Sequence, residues 1–278
     1  MAVLGKFLVV VGLVAALASC GGGDSNRHVK GELMRPTALD AAQHRAEGVP
    51  SNFGDTRPHG WAGRVPAHYQ VHGIDAARYQ GVIDFASARR AGISFAWLKG
   101  TEGGDRVDPA FARNLAGARQ AGVPVGAYHF YYFCRPAAEQ ARWFITHVPR
   151  DPMALPPVLD MEWTPFSPTC TTRRDPDTIR DEARTFLRIV ESHYGQRPII
   201  YTTVDFWTDN QMWRLGDYPF WLRSVAAHPD DLYDGRHWTF WLYTSTGLVP
   251  GINGEVDINV FDGSASDWAA WLAANRHP

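Results

Sequence analysis

From Val71 onward the chain alternates between short apolar runs and stretches of helical spacing, and this alternation restricts the fold more than any other feature. Runs of strand character occupy residues 71–75, 93–99, 123–130, 155–162, 198–203, 218–222, 239–244 and 256–261. Helical stretches at 83–91, 109–121, 137–147 and 176–194 fall between the first five. Gly92, Gly122 and Gly195 stand where helices end, and Asp108-Pro109 and Asp175-Pro176 set a capping acid ahead of proline at helix starts. A helix between successive strands implies parallel pairing, with strands buried on both faces. Eight strands with about five helices predict an α/β fold: a TIM-like (β/α) barrel whose last third is degenerate. A flavodoxin-like open sheet is the structural alternative.

The residues before this domain read differently. Residues 1–19 carry one cation, Lys6, then an apolar run at 7–18 broken only by Gly12. That run is too short for a ~30 Å hydrocarbon core but suits a secretory signal peptide. It ends Leu17-Ala18-Ser19-Cys20, which resembles a bacterial lipobox and marks Cys20 for lipidation. An ordinary signal peptide that happens to contain Cys is the alternative. Lipidation makes the expected location the cell envelope, as an exported, membrane-anchored lipoprotein of the periplasm or outer membrane. Residues 20–68, rich in Gly, Asp, Arg, His and Pro, read as a tether with a short helix near 37–47. Pro66 and Gly73 interrupt any regular helix there, so His59, His68 and His72 read as solvated histidines rather than metal ligands. The barrel domain is then 69–278.

Charge excludes one class of partner. With 27 Lys+Arg against 29 Asp+Glu, the chain lacks the basic excess that nucleic-acid binding requires. Its 11 Trp, 10 Tyr and 14 Phe offer flat faces for sugar rings, although aromatics also fill cores. In a parallel barrel the site lies at the C-terminal strand ends. Those ends supply Asp75, Lys99 and Glu102, Tyr128 and His129, Asp160 and Glu162, Tyr201, Trp221, Trp241 with Tyr243, and Asp257. Carboxylates and aromatics of this kind describe a glycan-cleaving site better than a phosphate site. The sharpest element is Pro156-Pro157-Val158-Leu159-Asp160-Met161-Glu162. Residues i and i+2 of a strand point to one side, so Asp160 and Glu162 emerge together. Two nearby carboxylates do not ionise equally, which provides a general acid beside an anion, as glycosidic cleavage needs. A solvated acidic pair is the alternative. Lys99 with Glu102 reads equally as a structural ion pair, His129 as a hydrogen-bonded structural residue, and Trp221 and Trp241 as core.

Across residues 73–263 the sequence resembles glycoside hydrolase family 25, the Chalaropsis-type N-acetylmuramidase lysozymes. The resemblance is carried in order by Gly73-Ile74-Asp75 with Tyr79-Gln80-Gly81, Phe95-Ala96-Trp97-Leu98-Lys99 with Thr101-Glu102-Gly103, and Asp108-Pro109-Ala110-Phe111 with Asn114. It continues through Val125-Gly126-Ala127-Tyr128-His129-Phe130, the Asp160/Glu162 segment, Tyr194-Gly195 with Arg197-Pro198-Ile199-Ile200-Tyr201-Thr202, and Val249-Pro250-Gly251-Ile252 with Val256-Asp257-Ile258-Asn259. The resemblance implies a modified barrel of five βα units and three further strands. It implies hydrolysis of the β-1,4 bond between N-acetylmuramic acid and N-acetylglucosamine in peptidoglycan, without metal or organic cofactor. Glu162 matches the general acid, and Asp160 matches the group that orients or charge-stabilises the substrate's 2-acetamido group in a substrate-assisted retaining mechanism. Asp75 and Asp257 match the other pocket acids, Tyr128 and Tyr201 hydrogen-bond donors, and Trp221 and Trp241 sugar-stacking walls. Lys99 and Glu102 are further candidate substrate contacts, and the expected state is a monomer.

The match has departures. Asp75 is followed by Ala76-Ala77 rather than a polar residue, Trp221 by Leu222-Arg223-Ser224, and Leu242 stands where Gln is usual. Arg223, near the mouth, suits an anionic muramyl or peptide carboxylate. Cys134 follows the third strand and Cys170 the fourth, and no CxxC pair is present. Barrel loops at those places are neighbours on the catalytic face, so a disulfide is expected, with two buried free thiols as the alternative. Two other functions remain open at this point: hydrolysis of another N-acetylhexosamine polymer such as chitin, and a non-catalytic wall-binding lipoprotein. The first is disfavoured by Val158 and Leu155, where chitin hydrolases place aspartates. The second leaves four retained acids without a purpose.

Overall fold

Eight strands close into a ring. The computed structural model describes residues 49–276, which lie in one compact unit; the signal peptide, Cys20 and the short helix expected near 37–47 lie outside the described residues. A two-residue strand β1 (Gly54–Asp55) precedes the ring. Then come β2 (His72–Ala76), α1 (Phe85–Ala91), β3 (Ile93–Glu102), a short β4 (Arg106–Val107) paired to β3, α2 (Phe111–Gln120), β5 (Val125–Phe130), α3 (Ala137–His147), β6 (Val158–Met161), α4 (Pro176–Tyr194), β7 (Ile199–Thr202) and α5 (Val204–Asn210). The remainder is β8 (Phe220–Arg223), a four-residue α6 (Pro229–Leu232), β9 (Phe240–Leu248), β10 (Val256–Phe261) and α7 (Ala265–Asn275). Neighbours from β2 through β9 pair in parallel. β10 runs antiparallel between β9 and β2 and closes the barrel. Five βα units and three further strands are thus present, and the open-sheet alternative is excluded.

Strand alternation sorts the apolar residues into two layers. Ile74, Ala96, Leu98, Leu159, Met161, Ile200, Leu222, Ile258 and Val260 face outward, packed with the helices. Phe95, Trp97, Val158, Ile199, Tyr201, Trp221, Phe240, Leu242 and Phe261 fill the interior. Glycine makes room for the largest of these: a Cβ on Gly73 would lie 2.3 Å from the Phe95 ring, and one on Gly126 2.6 Å from the Trp97 indole nitrogen. At the end where the strands begin, Trp268 of α7 packs 5.2 Å from both Phe95 and Phe261, with Trp271 stacked on it at 5.3 Å. The interior is therefore plugged at the end where the strands begin, and a groove opens at the other end.

Local signals explain the helix boundaries. Asp175 accepts from the Thr178 amide at 2.9 Å, Pro176 opens α4, and Gly195 ends it at φ 71°. Asp108 behaves otherwise than expected. The helix starts at Phe111, and Asp108 bonds the amides of Ala110 and Arg78, each at 2.9 Å, tying the α2 entry to the loop after β2. Cys134 and Cys170 form the expected disulfide. Among the described residues no helix is long and apolar enough to cross a membrane.

The tether boundary requires correction, because residues 49–68 pack on the barrel. β1 pairs with the end of β9, Phe53 is buried, and Asp55 accepts from the hydroxyls of Thr244 and Thr246, both at 2.6 Å. Trp61 sets its edge on Trp241 at 5.2 Å. His72 is a buried β2 residue rather than a solvated one, with ring nitrogens 3.1 Å from the Tyr243 hydroxyl and 3.0 Å from the Tyr69 carbonyl. Phe53 and Trp61 stand isolated among polar residues and glycines, so no periodicity announces them. Phe53→Ala is expected to cost about 3 kcal/mol in urea unfolding, the usual loss for a buried ring, whereas a true tether residue would cost nothing.

Candidate active site

The strand ends opposite the α7 plug surround a groove of about 610 Å³. Five carboxylates line it: Glu102, which pairs with Lys99, and a cluster of four, Asp75 at the end of β2, Asp160 in β6, Glu162 immediately after β6, and Asp257 at the start of β10. Alternation puts Asp160 and Glu162 on the same side, and the antiparallel register sets Asp257 directly across from Asp75. The neighbouring strands add Tyr128, Tyr201 in register with Asp160, and Trp221 in register with Tyr201.

Burial governs the protonation of this group. It pushes Asp160 well above the usual carboxylate range, and Glu162, Asp75 and Asp257 push it further, while Lys99 opposes. Asp75 is raised well above that range by burial and by the Asp257 charge. Burial also raises Asp257, against Ser245 and Arg223. Glu162 rises to about 7, mainly by desolvation, with Arg223 lowering it and Asp257 raising it. The expectation that one acid of a pair keeps its proton becomes a cluster of four acids, all of them held above the usual carboxylate range by burial and by one another. Burial and the nearby acids likewise push the phenols of Tyr128 and Tyr201 well up, so both remain O–H donors.

Hydrogen bonds hold part of the cluster in place. Trp221 Nε1 donates to Asn259 Oδ1 at 2.7 Å, and Asn259 Nδ2 donates to Asp75 Oδ1 at 2.8 Å. Asn259 was visible in the sequence only as the fourth residue of Val256-Asp257-Ile258-Asn259, with no signal of this role. Asp160 Oδ1 differs: it is buried and has no hydrogen-bond partner. A buried carboxylate oxygen without a donor is costly in isolation and is an acceptor available to a ligand.

The other expected residues divide. Lys99 and Glu102 both line the groove and form an ion pair there; Glu102 also accepts from the Tyr132 hydroxyl, and Lys99 Nζ lies 4.3 Å from the Phe130 ring centre. Burial pushes Glu102 up, but Lys99 and Tyr132 outweigh it and leave its pKa lowered. Trp221 borders the groove with only 2% of its surface exposed, as a floor edge rather than a wall. Trp241 is not at the site. It faces outward and is fully buried, with Nε1 donating to the Ser224 carbonyl at 2.7 Å. In β9 it is Phe240 and Leu242 that point inward. His129 also faces away from the groove, bonded to Thr101 at 2.7 Å and Gln140 at 3.1 Å, and burial lowers its pKa to about 3. Arg223 is not among the lining residues and acts on the acids through its charge. No sequence signal marked the other residues that line the groove, Arg78, Tyr79 and Arg106 from the segments after β2 and β3 and Trp163, Pro165, Phe166 and Pro168 from the loop after β6.

Acids buried at the closed-barrel mouth, flanked by aromatics, coincide with a family match. The model of Glycosyl hydrolases family 25 matches residues 74–252. The chain belongs to this family. It is a glycoside hydrolase, similar to Lysozyme M1 of Streptomyces globisporus at 36% identity over 70% of this chain and 69% of that one. It is similar to the N,O-diacetylmuramidase of Chalaropsis sp at 29% identity, covering 67% of this chain and 96% of the other. Among solved structures, a family 25 glycosyl hydrolase from Bacillus anthracis superposes with a TM-score of 0.70 at 32% identity, covering 78% of this chain and 98% of that one.

The raised pKa of Glu162 has a consequence for stability. An acid with a folded pKa of about 7 against 4.5 unfolded holds its proton more tightly when native. Its burial is therefore tolerated below pH 4.5, and stability falls as pH rises through 7. At pH 8 Glu162→Gln is expected to be more stable than the parent by about 3 kcal/mol, read as a higher melting temperature, with the gap closing towards pH 4.5. Thermal unfolding at the two pH values checks this.

Proposed function

We propose that this family 25 enzyme is a peptidoglycan muramidase, with Glu162 as general acid and Asp160 as the group that receives the substrate's 2-acetamido N–H. The observation carrying the reading is the pair itself: Glu162, its pKa raised to about 7, beside Asp160, whose Oδ1 is buried without a hydrogen-bond partner among the described residues. Glu162 donates its proton to the glycosidic oxygen as the bond to C1 breaks. Asp160 holds the acetamido nitrogen so that the acetamido oxygen attacks C1 from the opposite side, forming an oxazolinium-type intermediate. Glu162, now ionised, removes a proton from the incoming water, which opens the intermediate with overall retention. Asp75, Asn259 and Asp257 keep neighbouring charge within the cluster, and Tyr128 and Tyr201 donate hydrogen bonds to the sugar.

Clearance of purified peptidoglycan suspensions tests the assignment. Glu162→Gln is expected to lower the rate about a thousandfold and Asp160→Asn about a hundredfold. The parent's kcat/KM is expected to fall as pH rises through about 7, and mass spectrometry should find muramic acid at the new reducing ends. Full activity in Glu162→Gln would refute the acid.

The Leu17-Ala18-Ser19-Cys20 motif supports export and acylation at Cys20, placing the enzyme on an envelope membrane facing its substrate. Metabolic labelling with a fatty acid is expected to mark the parent in its own cell type and not Cys20→Ala.

A further inference from the structure

The loop after Glu162 is tied down at nearly every point except one. Trp163 packs on Phe133 and Phe206 at 5.3 and 4.7 Å, its Nε1 donates to Asp209 at 2.8 Å, and the Arg173 guanidinium lies 4.4 Å from its ring centre. Thr164 Oγ1 donates to the Cys170 carbonyl at 2.7 Å, the Ser167 amide to the Thr164 carbonyl at 3.1 Å, and the Cys170 amide to Ser167 Oγ at 3.1 Å. Cys170 is buried and bonded to Cys134 of the preceding strand's loop. Between Pro165 and Ser167, this braced loop presents Phe166 with 96% of its surface exposed, more than any other large apolar side chain among the described residues. Phe166 borders the same groove as Glu162.

An apolar ring set bare on a braced loop beside a polar groove suits a partner with one apolar face. The C–H face of a pyranose is such a surface, and the groove that Phe166 borders is the one that holds Glu162. We propose that Phe166 is a specificity-determining sugar platform, stacking on a saccharide unit beyond the bond being cleaved and held at its station by the Cys134–Cys170 disulfide. This rests on the muramidase reading and adds to it a subsite that rewards longer strands.

Initial rates on peptide-free glycan strands of graded length test it. Phe166→Ala is expected to raise KM about fivefold on long strands, with kcat moving far less and the difference shrinking on the shortest strand cleaved. Phe166→Trp is expected to restore the parent KM. Reducing the disulfide is expected to raise the parent's KM by a similar factor and to add little in Phe166→Ala. Equal KM values for parent and Phe166→Ala at every length would overturn the proposal while leaving Glu162 in place. So would a loss confined to kcat, or a loss seen only on peptide-bearing wall, which would make the occupant a peptide. A parent that cleaves none of the strands would instead remove the muramidase reading on which the proposal stands.

Discussion

A parallel barrel closes only if its last strand finds two partners, and here β10 does so by running against both of them. Reversal at the loop from Val249 to Glu255 sends β10 down between β9 and β2, so its first residues, not its last, lie at the catalytic face. That single antiparallel insertion sets Asp257 across from Asp75 and brings Asn259 within reach of both Asp75 and Trp221. Without it, β2 and β9 would present open edges and the four acids would not share one groove.

Once the ring is closed, electrostatics follows from depth. The α7 tryptophans and the stacked interior aromatics exclude water from below, so every carboxylate at the rim is partly desolvated. Lys99 is largely committed to Glu102, and Arg223 sits off the groove, so the opposing cations weaken this rise without cancelling it. Glu162, raised to about 7, is thereby poised to give a proton to a leaving oxygen and take one back from water.

The rims are built differently from the floor. The floor belongs to strands and inherits their fixed spacing, while the rims belong to loops, which bring the cations Arg78 and Arg106 and the aromatics Trp163 and Phe166 to the groove. A rigid floor under variable rims is the usual division between chemistry and specificity in barrel enzymes. In this chain a disulfide gives one rim some of the floor's rigidity.

Much of this was written locally. All eight barrel strands and the four helices expected between the first five were legible from periodicity, because apolar repeats of 2 and 3.6 are imposed by backbone geometry itself. The common side of Asp160 and Glu162 followed from the same period. The orientation of β9 did not: Phe240 and Leu242 are as apolar as Trp241 and Tyr243, and a strand buried on both faces gives no sign of which set turns inward. Only the closed barrel decided that Trp241 belongs to the outer layer. Tertiary contacts also drew residues 49–68 onto the barrel, since Phe53 and Trp61 gain their burial from β9 and its neighbours rather than from any regularity of their own. The proton affinity of Glu162 was likewise decided by the fold, because desolvation depends on what surrounds a carboxylate in space and not on its neighbours along the chain.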